Sequence, residues 1–468
     1  MSQLTITASD GSRTQIDEAT IELFGGEVIS PTSPEFDAAR AVWNAMIDVR
    51  PGLIVRCITS EDIRHAVALA KAHGLLTAVR GGGHNIAGNG ICDGGMVIDL
   101  SRMKRIEVDP QRRLATVEPG VTLGEFDKAC QEHGLTTPTG INSTTGIAGL
   151  TLGGGFGWLS RKYGLTIDNL VSARVVTAEG EILTASATEN PDLFWGIRGG
   201  GGNFGVVSEF TYKLHQVGPE VLAGLIIHPM ADARKLLRSY REFCAASPDD
   251  VTAWVVMRKA PPLPFLPEEW HGKEVLVFTA CCAGDSASGE AALKPLRELG
   301  KPIVDVIGSQ PFVGWQMAFD PLLAPGARNY WKSHNFADLA DGAVDVITEA
   351  VSRLPSPHCE IFIGQMGGAT SRVAPDATAY RDRTVKFIMN VHGRWETPAE
   401  DQAGIAWCRS VFDAATPYAT GGAYVNFMTA EESKRIPSAY GPSYQRLVEL
   451  KRKYDPTNLF RMNQNIKP

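Results

Sequence analysis

The chain has 468 residues and a formal net charge of −7 at neutral pH, with 44% hydrophobic and 21% charged residues. That length exceeds one ordinary core and predicts two domains, and the acidic balance argues against nucleic-acid and anionic-membrane partners. No apolar run is long enough to span a bilayer, the Met1–Thr5 start lacks a basic region followed by an apolar core, and eight cysteines without a CxxC pair predict a reduced, cytoplasmic protein.

In chain order, residues 1–25 read as a polar leader with weak patterning. Ser60 is the candidate cap of an amphipathic helix whose Ile63, Val67 and Ala70 share one face, and Gly74 stops it. A strand-like run, Leu75-Leu76-Thr77-Ala78-Val79, follows, with further strands at 96–100 and 114–118. Thr122 caps a helix that ends at Gly134. Residues 171–187 read as a hairpin turning at Glu179-Gly180, and Asn190-Pro191 opens a short helix, with Asn190 as its cap. Past His215 strand-like runs dominate, at 222–229, 253–258, 273–282, 328–336, 358–366 and 385–394. Helical runs such as 231–245 and 341–353 separate them. The pattern predicts a large antiparallel sheet covered on one side by helices, in an α+β protein.

Arg80-Gly81-Gly82-Gly83-His84-Asn85 is the most informative stretch. Three glycines remove every Cβ and let backbone N–H groups close around an anion. An imidazole at the mouth of that cradle can be base, ligand or covalent anchor. Gly200-Gly201-Gly202-Asn203-Phe204-Gly205 matches GxGxxG, but it follows a helix and opens a strand, the reverse of a dinucleotide fingerprint. Nicotinamide binding is therefore not expected from it. The ten histidines include no HxxxH or HExxH arrangement, and no metal site is expected.

The strand 385–394 is informative from periodicity alone. Val385, Phe387, Met389 and Val391 fall on one face, and Asn390, His392 and Arg394 on the other. The mixed face suits either a half-exposed strand or a wet pocket in which Asn390 and His392 orient substrate. Asn329, Trp331, Glu360 and Gln365 are further pocket candidates.

The ordered set of motifs runs from Arg80 to Gly90, through Pro119-Gly120 and the glycine-rich 140–157, to Tyr424-Val425-Asn426. It resembles the FAD-binding domain of the vanillyl-alcohol oxidase / p-cresol methylhydroxylase (PCMH) flavoproteins, and within them the berberine-bridge-enzyme-like oxidases. The resemblance runs from about Gly26 to the C-terminus. It implies a two-domain PCMH-type fold: an FAD-binding domain over 26–215, a substrate domain over 216–419, and a segment 420–468 that returns to the flavin. It implies FAD held by Arg80, Gly81, Gly82, Gly83, Asn85, Gly88, Pro119, Gly120, Asn142, Thr145, Gly146, Gly149, Gly154, Gly155, Val207, Asn426, Asn463 and Asn465, and bonded covalently to His84. Asn142 stands where many plant members carry a second, cysteine link, so a single link is expected. Leu150 stands where many carry a histidine near flavin N1.

The same resemblance places Tyr424 near flavin N5. A phenol there serves as base or acid if an adjacent cation lowers its pKa; the alternative is a buried tyrosine satisfied by one hydrogen bond. The family puts a glutamate or glutamine at about Asn390, which as an amide cannot be a base. The implied activity is an FAD-dependent oxidase. A small organic substrate loses a hydride from CH–OH, CH–NH or activated CH, and molecular oxygen becomes hydrogen peroxide. Two alternatives are a same-fold dehydrogenase with another acceptor and a flavin-bearing binding or resistance protein for a small aromatic compound. The expected assembly is a monomer or homodimer.

Overall fold

The computed structural model describes residues 3–21 and 23–468; Met1, Ser2 and Glu22 of the expected leader lie outside the described residues. Residues 3–17 are not weakly patterned leader but a hairpin. Gln3–Thr7 pairs antiparallel with Arg13–Asp17, and Gly11 sits at φ +86° in the connection. Ile6 and Ile16 are fully buried in a core with Leu53, Val55 and Leu75. Alternating apolar and polar residues around Asp10-Gly11 account for it, since that pair favours a tight turn.

Two sheets follow. A four-stranded sheet has the order Glu27–Ile29, Leu53–Arg56, Met96–Asp99, Thr77–Arg80, and its last three strands are parallel. A five-stranded antiparallel sheet has the order Ile182–Ser186, Leu170–Val176, Val206–Lys213, Leu114–Val117, Ile106–Asp109. Helix Ser60–Ala72 is capped by Thr59, not Ser60: the Thr59 side chain accepts from the Asp62 N–H and the Asp62 carboxylate accepts from the Thr59 N–H. Thr122 and Glu125 form the same reciprocal cap on Leu123–Gln131. Asn190 adopts a left-handed conformation and makes no side-chain cap; its amide donates to the Thr184 carbonyl instead.

The large sheet is antiparallel throughout. Its main path is Val304–Asp305, Glu220–Pro229, Glu274–Cys282, Val251–Lys259, Glu360–Gln365, Phe387–Trp395, Arg328–Phe336, with Gly308–Pro311 also paired to Glu220–Pro229. Helices Ala233–Ala246, Asp341–Val351 and Asp401–Ala415 cover one face through a core that includes Leu237, Val344, Val411, Phe387, Met389 and Val391. The opposite face is turned toward the first domain. Helix Tyr444–Tyr454 returns to that domain, where Leu447 and Leu450 pack with Phe204 and Trp195. Lys451, fully buried, ties this end together by donating to the Asp455 carboxylate and to the Asn203 and Phe460 carbonyls. All eight cysteines are buried and free. Among the described residues no helix is long and apolar enough to cross a membrane.

Candidate active site

The glycine loop is rooted by a ladder contact. Arg80 lies opposite Asp99 in the parallel register, and its guanidinium donates to the Asp99 carboxylate at 2.7 Å. Burial opposes ionisation of Asp99, but Arg80, together with hydrogen bonds from Ser101, more than offsets it and holds the carboxyl below its ordinary range. The Arg80 Nη1 is buried without a protein partner. Gly82 meets Gly146 backbone to backbone: a Cβ on Gly82 would lie 2.3 Å from the Gly146 nitrogen. Glycine is therefore demanded here by the meeting of two loops as well as by any anion.

His84 stands where those loops meet. Its Nε2 is 2.8 Å from the Thr144 hydroxyl, and its ring stacks on Trp43 at 5.3 Å. Burial pushes the imidazolium down to about 4, so the ring is neutral near neutral pH. A neutral imidazole keeps a free lone pair, which bond formation to carbon requires.

One cavity of about 400 Å³ runs from this loop to the open face of the large sheet. Of the expected cofactor residues, Arg80, Gly81, Gly82, Gly83, His84, Asn85, Asn142, Thr145, Gly146, Gly149, Val207, Asn426 and Asn463 line it. Gly88, Pro119, Gly120, Gly154, Gly155 and Asn465 do not. A Cβ on Gly120 would lie 2.1 Å from the Leu100 carbonyl oxygen, a packing demand unrelated to cofactor. Gly201, Gly202 and Gly205, from the rejected GxGxxG run, do line the cavity. Their glycine density was the available signal, and the strand that follows them hid it. The lining fits FAD: buried polar atoms of Arg80, Tyr440 and Asn463 have no protein partner, and a Cβ at Gly149 or Gly202 would meet nothing within 4 Å.

Across the open sheet face, register builds a polar row. Trp331 lies opposite His392, His392 opposite Glu360, and Glu360 opposite Arg258. His392 Nδ1 is 3.0 Å from a Glu360 oxygen, Arg258 donates to the other at 2.7 Å, and Trp331 stacks on the imidazole at 4.6 Å. Burial alone would raise the Glu360 pKa; Arg258 and His392 reverse that and hold it at about 2. All four residues line the cavity. Arg258 was absent from the sequence expectation because only the register places it beside Glu360.

Three expected pocket residues lie elsewhere. Asn390 is fully buried, does not line the cavity, and neither amide atom has a partner; Ser333, opposite it in register, is likewise unpartnered at its hydroxyl. Asn329 joins the domains: its N–H donates to the Asn44 side chain and its Oδ1 accepts from Arg394. Gln365 holds the Ala253 N–H and the Ser247 hydroxyl. Tyr424 does line the cavity. Its hydroxyl accepts from the Gly155 N–H at 3.1 Å and from Asn426 Nδ2 at 3.0 Å. These bonds favour the phenolate, yet burial outweighs them and pushes the phenol up to about 12. No cation is among the groups that shift it, so the condition for a phenolate base is not met, and the alternative of a buried, hydrogen-bonded tyrosine fits.

Two family patterns match this chain: the FAD binding domain over residues 51–186 and the berberine and berberine-like pattern over residues 423–467. The FAD-linked oxidoreductase YgaK of Bacillus subtilis is 30% identical, covering 95% of this chain and 97% of that protein. The crystal structure of 6-hydroxy-D-nicotine oxidase from Arthrobacter nicotinovorans superposes with a TM-score of 0.85 at 29% identity, over 95% of this chain and 98% of that one. Xylooligosaccharide oxidase from Myceliophthora thermophila, solved with xylobiose, gives 0.84 at 25% identity, over 96% and 99%. The chain belongs to the berberine-bridge-enzyme-like FAD-linked oxidoreductases of the vanillyl-alcohol oxidase / PCMH superfamily. It is an FAD-linked enzyme with the two-domain PCMH-type fold.

Proposed function

We propose that this chain is an oxidase that carries FAD covalently on His84 and oxidises a small organic substrate at a CH–OH, CH–NH or activated CH. The observation that carries the reading is the single cavity joining a neutral His84, at the meeting of two glycine loops, to the polar row of the sheet. Bound FAD supplies a two-electron acceptor for the substrate's hydride, with molecular oxygen reduced to hydrogen peroxide on its return to the oxidised form.

The chain's own residues handle the proton. Ionised Glu360 accepts a hydrogen bond from His392 Nδ1–H, which leaves the Nε2 lone pair free to take the O–H or N–H proton. Arg258 keeps Glu360 ionised and fixed, so the imidazole is oriented before substrate arrives. Tyr424 stays protonated and acts as a hydrogen-bond donor, its oxygen held by Gly155 and Asn426. Asn142 offers no thiolate, so one covalent link is expected.

Acid precipitation of the purified protein tests the first part. Yellow colour should stay with the pellet and map to one peptide containing His84; colourless pellet and free flavin would sink the covalent assignment. Oxygen uptake matched by peroxide supports the oxidase. Flavin bleaching that reverses only with a dye acceptor would make the enzyme a dehydrogenase.

A further inference from the structure

The cavity changes character along the sheet, and the change defines a substrate. At its inner end six rings form a closed circuit: Phe156, Phe427, Trp331, His392, Phe362 and Trp254. Successive centroids are 5.9, 5.5, 4.6, 6.2, 5.2 and, back to Phe156, 5.9 Å apart. Trp331 and Trp43 connect this circuit to His84. In the other direction, the row after the polar one runs from Phe362 to Val256, Val277 and Ile227 in register. Val256, Val277 and Ile227 are joined by Leu225 and, from the proline-rich loop, by Leu263 and Leu266, all in one apolar cluster and all on the cavity. The shelf offers no hydrogen-bonding side chain apart from Thr279 and Arg258 at its margins, and Arg258 is committed to Glu360.

We propose that the substrate is amphipathic: a flat, aromatic head bearing the oxidisable CH–OH or CH–NH, held in the ring circuit with its acidic hydrogen toward His392, and an aliphatic tail of several carbons lying on the Ile227–Val256–Val277 shelf. This rests on the oxidase reading above. Flat rings suit the circuit because offset and edge-on stacking add to area burial. The shelf selects for methylenes because each one leaves water without displacing a polar contact. A saccharide is selected against, since its hydroxyls would lose water over the shelf and find no partner. The xylobiose-bound relative therefore shares the fold but not this chain's preference.

The test uses the flavinylated enzyme and two probe series, para-n-alkylbenzyl alcohols and the corresponding n-alkylbenzenes, from methyl to hexyl, with xylobiose as the contrast. Binding of the alkylbenzenes, read by quenching of tryptophan fluorescence, requires no turnover. Kd should tighten about three- to four-fold per methylene until the shelf is full, KM of the alcohols should follow, and xylobiose should be neither bound nor oxidised. Leu263→Asp, on a loop, should abolish the length dependence, with covalent flavin in the acid pellet reporting that the variant folds. Val277→Phe should fill the shelf and truncate the series early. A Kd independent of chain length, or preference for xylobiose, with flavin covalently present overturns the substrate assignment alone. Flavin bleaching that only a dye acceptor reverses overturns the oxidase reading beneath it and leaves the alkylbenzene result standing.

Discussion

In the proposed mechanism Tyr424 and His392 divide the proton work by the environments that surround them. The phenol is buried and pushed up to about 12, so it cannot begin a turnover as phenolate at neutral pH. Tyr424→Phe should slow flavin reduction about 10²-fold, the scale of losing one aligned donor, and should move neither limb of the pH–rate profile between pH 6 and 9. A shifted limb in anaerobic stopped-flow would return Tyr424 to the role of base. His392→Ala should slow reduction by about 10²–10⁴-fold. Glu360→Gln removes the charge but keeps a hydrogen-bond acceptor; it should reduce kcat with little change in KM, and equal loss in both would mean that Glu360 binds substrate directly. At this scale the cavity positions of His84, His392 and Tyr424 were legible, because glycine context, strand alternation and a short motif mark them. Arg258 and Trp43 were not. Each matters only through a neighbour distant in sequence, His84 for Trp43 and Glu360 for Arg258.

Strand alternation was also legible at the level of elements, and register was not. The split of Phe387, Met389 and Val391 from Asn390 and His392 follows from period two, and the helix-facing half is buried as that pattern requires. What the pattern could not give is the neighbour of each strand: Val251–Lys259 pairs with Glu360–Gln365 across a hundred residues, and the polar row exists only because of it. Asn390 marks the consequence. Alternation places it beside His392, but it falls in the second row, behind the cavity wall and without partners. A buried amide without hydrogen bonds is costly, so Asn390→Val should raise the free energy of unfolding by about 1–2 kcal/mol and leave flavin reduction within about two-fold of the parent. A destabilised variant in urea titration would show that the amide is satisfied, by ordered water or by substrate. The N-terminal hairpin was missed for a different reason: its Asp10-Gly11 turn is a strong local signal, and only the low hydrophobicity of the flanking strands obscured it.

The two domains are joined by contacts that neither domain's own pattern announces. Asp127 lies on the buried side of helix Leu123–Gln131 with Phe126 and Cys130, and its carboxylate accepts from Gln316 Nε2 at 2.9 Å, from helix Phe312–Gln316 beside the large sheet. A carboxylate on an apolar helix face reads in sequence as a misplaced charge; here it is a domain contact. Burial dominates its titration and pushes the pKa up to about 7, against the hydrogen bonds from Gln316 and Thr136. The ordinary value is 3.8, so from pH 4 to 7 the unfolded chain ionises while the folded protein holds its proton. Stability contributed by the protonated carboxyl is therefore complete in acid and declines as pH rises to about 7, where it levels off. Asp127→Asn keeps an acceptor for Gln316 and cannot ionise. Its stability advantage over the parent should be about 1 kcal/mol near pH 4.5 and on the order of 2–4 kcal/mol at pH 8. Glu360 has the opposite dependence, losing stability as pH falls toward about 2, but it is present in both proteins and cancels from the difference. Thermal melts of parent and variant at the two pH values measure it. An offset in Tm that is the same at pH 4.5 and pH 8 would mean that Asp127 is ionised in the folded protein, and that the domain contact is an ion–dipole bond to Gln316 rather than a neutral one.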